Sequence, residues 1–111
     1  MDKRDNLEVA LFKRPDNSHY IKVKVKSKVR FGLISSLEID TKAANGQRDL
    51  RNRVIIAAGA LAEYQAEKYN DKHDPAEFAK IAGEAFDRLI AAVEEKLTLA
   101  KPHLLDAAAL H

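Results

Sequence analysis

A stretch of strict alternation in the first half of the chain constrains the fold more than any other feature. From Ile21 to Phe31 the odd positions are apolar, apart from Ser27, and the even positions are all basic. Successive side chains of a β-strand point to opposite faces, so the pattern predicts a strand with one dry face and one charged face. The charged row consists of Lys22, Lys24, Lys26, Lys28 and Arg30. The dry face needs a second layer of structure to cover it.

Two further strands are predicted beside this one. Residues 7–13 also alternate, and Pro15 followed by Asp16 and Asn17 supplies turn chemistry, so residues 7–13 and the basic strand form a hairpin. Gly32 permits a second reversal, after which residues 33–41 alternate again. We therefore predict a three-stranded antiparallel meander.

The second half of the chain changes to helical spacing. Apolar residues recur every three or four positions from the Asn45-Gly46 turn to about Tyr69, which predicts one long helix. Asp74, Pro75 and Glu77 match an N-cap, the first helical position and a capping box, so a second helix is predicted from there to near residues 101–102. The link between the helices is short, which makes them antiparallel.

These elements predict a single α+β domain over residues 1–111. A basic sheet half, residues 7–41, packs on an acidic helical hairpin, residues 47–101, and residues 102–111 form a tail. The final Ala-Ala-Ala-Leu-His of that tail could be an expression-vector remnant. In element order alone, half of the chain resembles the three-strand-plus-helix DNA-binding domains at the N-termini of some tyrosine recombinases. That resemblance assigns no residue roles.

Charge is divided unevenly between the two halves. Residues 1–55 contain 13 Lys and Arg against 7 Asp and Glu, whereas residues 56–111 contain 6 against 10. A second basic cluster, Arg48, Arg51 and Arg53, falls at the start of the first helix, where cations oppose the helix dipole. These arginines either extend the positive surface of the sheet or pair with Asp49 and other acids.

The basic row is the strongest functional signal in the sequence. It would extend about 26 Å with one charge per 6.6 Å, and phosphates recur about every 3.4 Å along a DNA strand, so the row could follow a nucleic-acid backbone. We therefore expect a non-enzymatic nucleic-acid-binding protein, with duplex DNA favoured. Two alternatives stay open: a solvated face whose lysines pair with carboxylates, and an inhibitor or accessory subunit, such as those carried by mobile elements, that docks on an acidic protein.

Strand register decides which carboxylates meet the lysines. Pairing Leu11 with Ile21 keeps apolar residues together and places Glu8 opposite Lys24. It also sets Phe12 opposite Tyr20 on the charged face, where the two rings would form a stacking platform beside Lys22. A three-residue turn at Gly32 would pair Val25 with Ile39. Under that turn Glu38 faces Lys26 and Asp40 faces Lys24.

Several classes of function lack the residues they need. The chain has no Cys, its glycines are scattered, and its four histidines do not share a helix face at metal-ligand spacing. We therefore expect no enzyme activity, metal or cofactor, and we expect His73 to be a polar residue of the helix cap region. The longest apolar run, residues 54–62, is too short to span a bilayer, and no apolar leader follows Met1. A cytoplasmic protein without a membrane partner is expected.

Small residues in the helices indicate close packing. Gly59 and Gly83 each cost about 1 kcal/mol inside a helix relative to Ala, so they are expected to permit a close approach of two backbones. Residues 54–62 are also apolar almost all round, which indicates a helix covered on two sides. The second cover is either the other helix of the same molecule or a homodimer partner.

Overall fold

The fold is a three-stranded antiparallel sheet followed by two helices that pack against it, which confirms the predicted α+β class. A computed structural model describes residues 6–99, and it describes side chains over residues 6–94. The elements are β1 (Leu7–Lys13), β2 (His19–Lys26), β3 (Ile34–Asp40), a 3₁₀ turn (Thr41–Ala43), α1 (Gln47–Tyr69) and α2 (Pro75–Leu99). The strand order is β1-β2-β3, so the basic strand is central. The predicted end of the second helix and the tail lie outside the described residues.

The core lies between the sheet and the helices. The inward side chains of β2, Ile21, Val23 and Val25, are fully buried because they alternate toward the helical layer. The helices cover them with a set of aliphatic and aromatic residues: Val54, Ala57, Ala58, Leu61, Ala62, Phe78, Ile81, Ala82 and Phe86. We call this the inner face of the sheet and the opposite one the outer face. Burial of one face fixes the even-numbered residues of β2 on the outer face.

The central strand is shorter than the alternation predicts. β2 ends at Lys26, and residues 27–33 form a loop. The Ser27 hydroxyl accepts hydrogen bonds from the amides of Val29 and Arg30, at 3.2 and 2.9 Å, which turns the chain out of the sheet. Val29 is 63% exposed and Phe31 is 107% exposed, so the expectation that these two are dry was wrong.

The register of the first hairpin is confirmed and that of the second is wrong. Leu11 pairs with Ile21 and Glu8 pairs with Lys24, as predicted. In the second hairpin Ile39 pairs with Ile21 instead of Val25, because the connection is a seven-residue loop and not a three-residue turn. The outer-face neighbours in β3 are therefore Ser36 for Lys24, Glu38 for Lys22 and Asp40 for Tyr20.

The helical hairpin begins and turns where the sequence predicts. The Asp74 carboxylate caps α2 by accepting the amide of Ala76 at 3.1 Å. α1 ends at Tyr69 and is followed by its C-cap Asn70, a left-handed residue at φ 55°. Arg51 near the start of α1 contacts Asp87 in α2, as expected for helices that run antiparallel. The space beside Gly83 is filled by the Arg51 side chain, since a Cβ there would lie 2.8 Å from its guanidinium, so the close contact is with a side chain and not, as expected, with the α1 backbone.

Gly59 is different from Gly83. A Cβ at Gly59 would meet no atom of the described residues within 4 Å. Within this part of the chain the glycine therefore serves no close approach, in contrast to the expectation for it.

Candidate nucleic-acid interface

Three lysines of the central strand form the basic part of the outer face. Lys22, Lys24 and Lys26 alternate with the buried valines, so their side chains share one face over about 13 Å. We call these three residues the lysine strip. Lys22 and Lys24 are half-buried between the neighbouring strands, and Lys26 is exposed. The strip therefore has its backbone fixed in the sheet, and part of each lysine is accessible to solvent.

The acids of β3 beside the strip form ion pairs with a cation outside the strip. The Arg14 guanidinium lies 3.6 Å from a carboxylate oxygen of Glu38 and 3.9 Å from one of Asp40. In the part of the chain with described side chains, no ion pair includes a lysine of the strip. Glu8 lies across from Lys24 in the register without forming such a pair. The positive charge of the strip is thus not neutralised by direct contact with these acids.

An aromatic pair borders the strip at its first residue. The rings of Phe12 and Tyr20 stack with centroids 5.5 Å apart and planes at 22°, as their predicted pairing requires. The Arg14 guanidinium lies 4.4 Å from the Tyr20 ring centroid, within the range of a cation–π contact. Tyr20 thereby holds Arg14 over the sheet, in reach of the β3 carboxylates.

The other two residues of the predicted row, Lys28 and Arg30, lie in the loop that follows β2. The Lys28 amide donates to Asp71 Oδ2 at 2.7 Å, and the Arg30 guanidinium lies 5.6 Å from the Tyr69 ring. These contacts direct the loop toward the link between the helices. The row of five charges is therefore divided into three on the strand and two in the loop.

The arginine cluster at the start of α1 belongs to the helical layer. Arg51 forms two hydrogen bonds with Asp87, at 2.9 and 3.0 Å, and Arg53 pairs with Asp49 at 3.1 Å. Because α1 packs on the inner face of the sheet, this cluster does not continue the lysine strip. Arg48 is exposed on the same helix.

A buried polar network that no sequence pattern indicates joins the helix link to the sheet. Gln65 Nε2 donates to the Val25 carbonyl at 2.9 Å and contacts Ser35 Oγ at 3.2 Å. His73 Nε2 lies 2.9 Å from Gln65 Oε1 and 3.4 Å from Asp71 Oδ2. The His73 side chain is 1% exposed, so the expectation of a polar residue at the cap surface was wrong.

The contacts of Nε2 indicate the tautomer of the neutral His73 ring. Both neighbours of Nε2 accept hydrogen bonds, so Nε2 carries the proton of the neutral ring. Nδ1 is buried and meets no partner among the described residues, so a second proton there would face no acceptor. Burial is the main effect that lowers the pKa of His73, and the nearby Asp71 carboxylate opposes it.

Asp71 is the charged member of this network. Burial by itself would raise the pKa of the carboxyl, but the Ser27 hydroxyl and the Lys28 amide donate to it, and His73 and Lys28 lie near. The result is a pKa below its ordinary value of 3.8. Asp71 is thus ionised at neutral pH and attaches the helix link to the loop after β2.

These shifts predict stability that declines with acidity. The pKa of His73 is lower in the folded state than its ordinary 6.5, so below about pH 6.5 the unfolded chain binds more protons and the free energy of unfolding decreases. Protonation of Asp71 decreases the free energy of unfolding further, at the lower pH where the depressed pKa of the folded state is reached. Urea unfolding at pH 7.5 and pH 5.5 measures the decrease in the free energy of unfolding that is due to His73. His73→Gln should reduce the difference between the two pH values, whereas His19→Gln, at an exposed position, should retain it; equal behaviour of both variants would contradict the assignment.

The molecule is thus a small sheet that is backed by two helices on one face and presents lysines on the other. No protein-family model matches this chain, and no curated protein and no solved structure matches it. Over the described residues, no cluster of His, Asp and Glu could hold a metal ion, and no helix is long and apolar enough to cross a bilayer. The geometry of the outer face is therefore the basis for inferring a function.

Proposed function

We propose that the protein binds the phosphate backbone of nucleic acid, duplex DNA in particular, through the lysine strip. One observation carries the proposal: the strip has no ion-pair partner among the described side chains, although acids lie on both neighbouring strands. Lysines on one strand face recur every 6.6 Å or so, close to two base steps of about 3.4 Å, so successive ammonium groups fit alternate phosphates. Binding would release counterions from the nucleic acid.

Arg14 supports this function by its contacts with β3. Glu38 lies opposite Lys22 in the sheet and would otherwise be its nearest counter-charge. With Arg14 between Glu38 and Asp40, the acids are paired with a residue outside the strip. Lys28 and Arg30 add two positive charges in the loop after Lys26, on the side of the helix link. The Lys26 end of the outer face is therefore the more positive one, because the opposite end holds two carboxylates and one guanidinium.

The salt dependence of duplex binding tests the proposal. Each phosphate contact contributes about 0.9 to the slope of log K against log salt, so the triple variant Lys22→Gln, Lys24→Gln, Lys26→Gln should lower the slope by about 3. The measurement is a fluorescence-anisotropy titration of a short DNA duplex at several salt concentrations. The matched control is Lys68→Gln, Lys72→Gln, Lys80→Gln, which removes the same charge from exposed positions of the helical half.

Four outcomes separate the alternatives. A slope that falls in the strip variant and not in the control supports the proposal. Absence of wild-type binding at low salt contradicts it, and so does an equal decrease in both variants, which would indicate attraction by net charge alone. Binding of poly-glutamate by the wild type but not by the strip variant, without binding of DNA, would favour the acidic-protein alternative.

A further inference from the structure

The outer edge of β3 is open within the described sheet. β3 pairs with β2 on one side only, and it is the most exposed of the three strands. The Ser27 amide donates to the Leu33 carbonyl at 3.0 Å. Hydrogen-bonded and non-hydrogen-bonded pairs alternate along an antiparallel ladder, so the odd-numbered residues of β3 are the ones whose backbone groups bond to β2. The backbone groups of Ser36 and Glu38 therefore point away from the sheet. β3 has no lysine, proline or bulge that would block a further strand.

Apolar side chains continue from this edge onto α1. Leu37 on β3 is 44% exposed, and Ile56 on α1 is 68% exposed. A groove of about 530 Å³ between the two elements is lined by Ile34, Leu37, Ala60, Leu61, Tyr64 and Tyr69. Ile56, Ala60 and Tyr64 lie four residues apart and form one stripe on the helix. An open strand edge beside an apolar helix stripe is typical of a protein interface.

We propose that a second copy of this chain occupies the edge, with the two β3 strands paired antiparallel about a two-fold axis at Leu37. In this register Leu37 meets Leu37 of the second copy, Ser36 faces Glu38 and Ile34 faces Asp40, so no two acids lie directly opposite each other. Leu37 forms a non-hydrogen-bonded pair, in which side chains are closest. The outward backbone groups of Ser36 and Glu38 bond across the axis.

The same two-fold axis would also bring the α1 helices of the two copies into contact. α1 packs against β2 and β3, so an axis half a strand spacing outside β3 sets the two α1 helices about 10 Å apart. Packed helices have this interaxial distance, and the stripe of Ile56, Ala60 and Tyr64 would meet its copy there. Gly59 beside the stripe has open space over its Cα, which permits a close approach across the axis. The product is a six-stranded sheet with a lysine strip on each half.

Sedimentation velocity over a wide range of protein concentration tests the proposal. Wild type should show a monomer–dimer equilibrium. Ser36→Pro removes an outward N–H from each strand without affecting the bonds to β2, so it should raise the dissociation constant about 30-fold, as the loss of two hydrogen bonds implies. Ser36→Thr retains the N–H and should leave the dissociation constant unchanged. Leu37→Lys, which places two cations at the axis, should give monomers.

Circular dichroism of each variant shows whether the monomer is still folded. The proposal is overturned if wild type is a monomer at every concentration. It is also overturned if the dimer persists unchanged in both Ser36→Pro and Leu37→Lys. A dimer that Ile56→Lys disrupts but Ser36→Pro does not would be held by the helices alone, which also excludes strand pairing. None of these results depends on nucleic-acid binding.

Discussion

Phe78→Ala is expected to lower the free energy of unfolding by about 3–5 kcal/mol, as for other buried phenylalanines. Phe78 is 1% exposed, and its ring centroid lies 4.5 Å from that of His73. Truncation therefore leaves a cavity in the core and removes the contact that positions the buried imidazole. Since domains of this size are stable by about 5–15 kcal/mol, the loss is a large fraction of the total. Urea unfolding followed by circular dichroism measures it.

Phe31→Ala is the matched control for this prediction. It removes the same atoms from a side chain that is fully exposed, so the free energy of unfolding should change by less than about 0.5 kcal/mol. Comparing the free energies of unfolding of the two variants tests the position at which β2 ends. If Phe31→Ala were as destabilising as Phe78→Ala, the strand would extend to Phe31 with its odd positions buried, contrary to the structure.

Asp71→Ala is expected to lower the free energy of unfolding by about 2–3 kcal/mol. The substitution leaves the Lys28 amide without its acceptor at 2.7 Å and removes the charged neighbour of His73. The effect should be local as well as global, because Asp71 joins the helix link to the loop of residues 27–33. Hydrogen exchange should be faster at the Lys28 amide, beyond what the lower global stability explains. Amides of the core strand should lose only the protection that the change in global stability predicts.

Two variants define the specificity of that result. Asp74→Ala removes the N-cap of α2 and should cost about 1 kcal/mol without faster exchange at Lys28. Asp71→Asn keeps an acceptor for the Lys28 amide and should be milder than Asp71→Ala. Equal exchange at Lys28 in wild type and Asp71→Ala would show that the loop does not depend on this carboxylate.

Local patterns predicted the elements but not all of their limits. Alternation identified the central strand, which the structure places at His19–Lys26, and Asp74 with Pro75 identified the start of α2, because each signal lies within a few residues of the feature it determines. The alternation continues to Phe31, yet the strand stops earlier. Ser27, the one polar residue at an odd position, was the visible signal, since a serine hydroxyl competes for nearby backbone amides.

The candidate site shows the same division between local and distant contacts. The strip of Lys22, Lys24 and Lys26 followed from the strand period alone. Its relation to the acids did not, because the length of the loop sets the second register and Arg14 reaches over Tyr20 to β3. The network of Gln65, Asp71 and His73 joins segments up to 43 residues apart, and no local pattern in the sequence brings them together.

The tie between Asp71 and the Lys28 amide has a consequence for the entropy of association. A cation on a mobile loop loses conformational freedom when a partner immobilises it, and that loss opposes binding. Here the hydrogen bonds to Asp71 and Ser27 fix the backbone on both sides of Lys28 before any encounter. In the proposed nucleic-acid complex only the side-chain torsions of Lys28 and Arg30 would be left to be ordered, so a larger share of each electrostatic contact would appear as affinity.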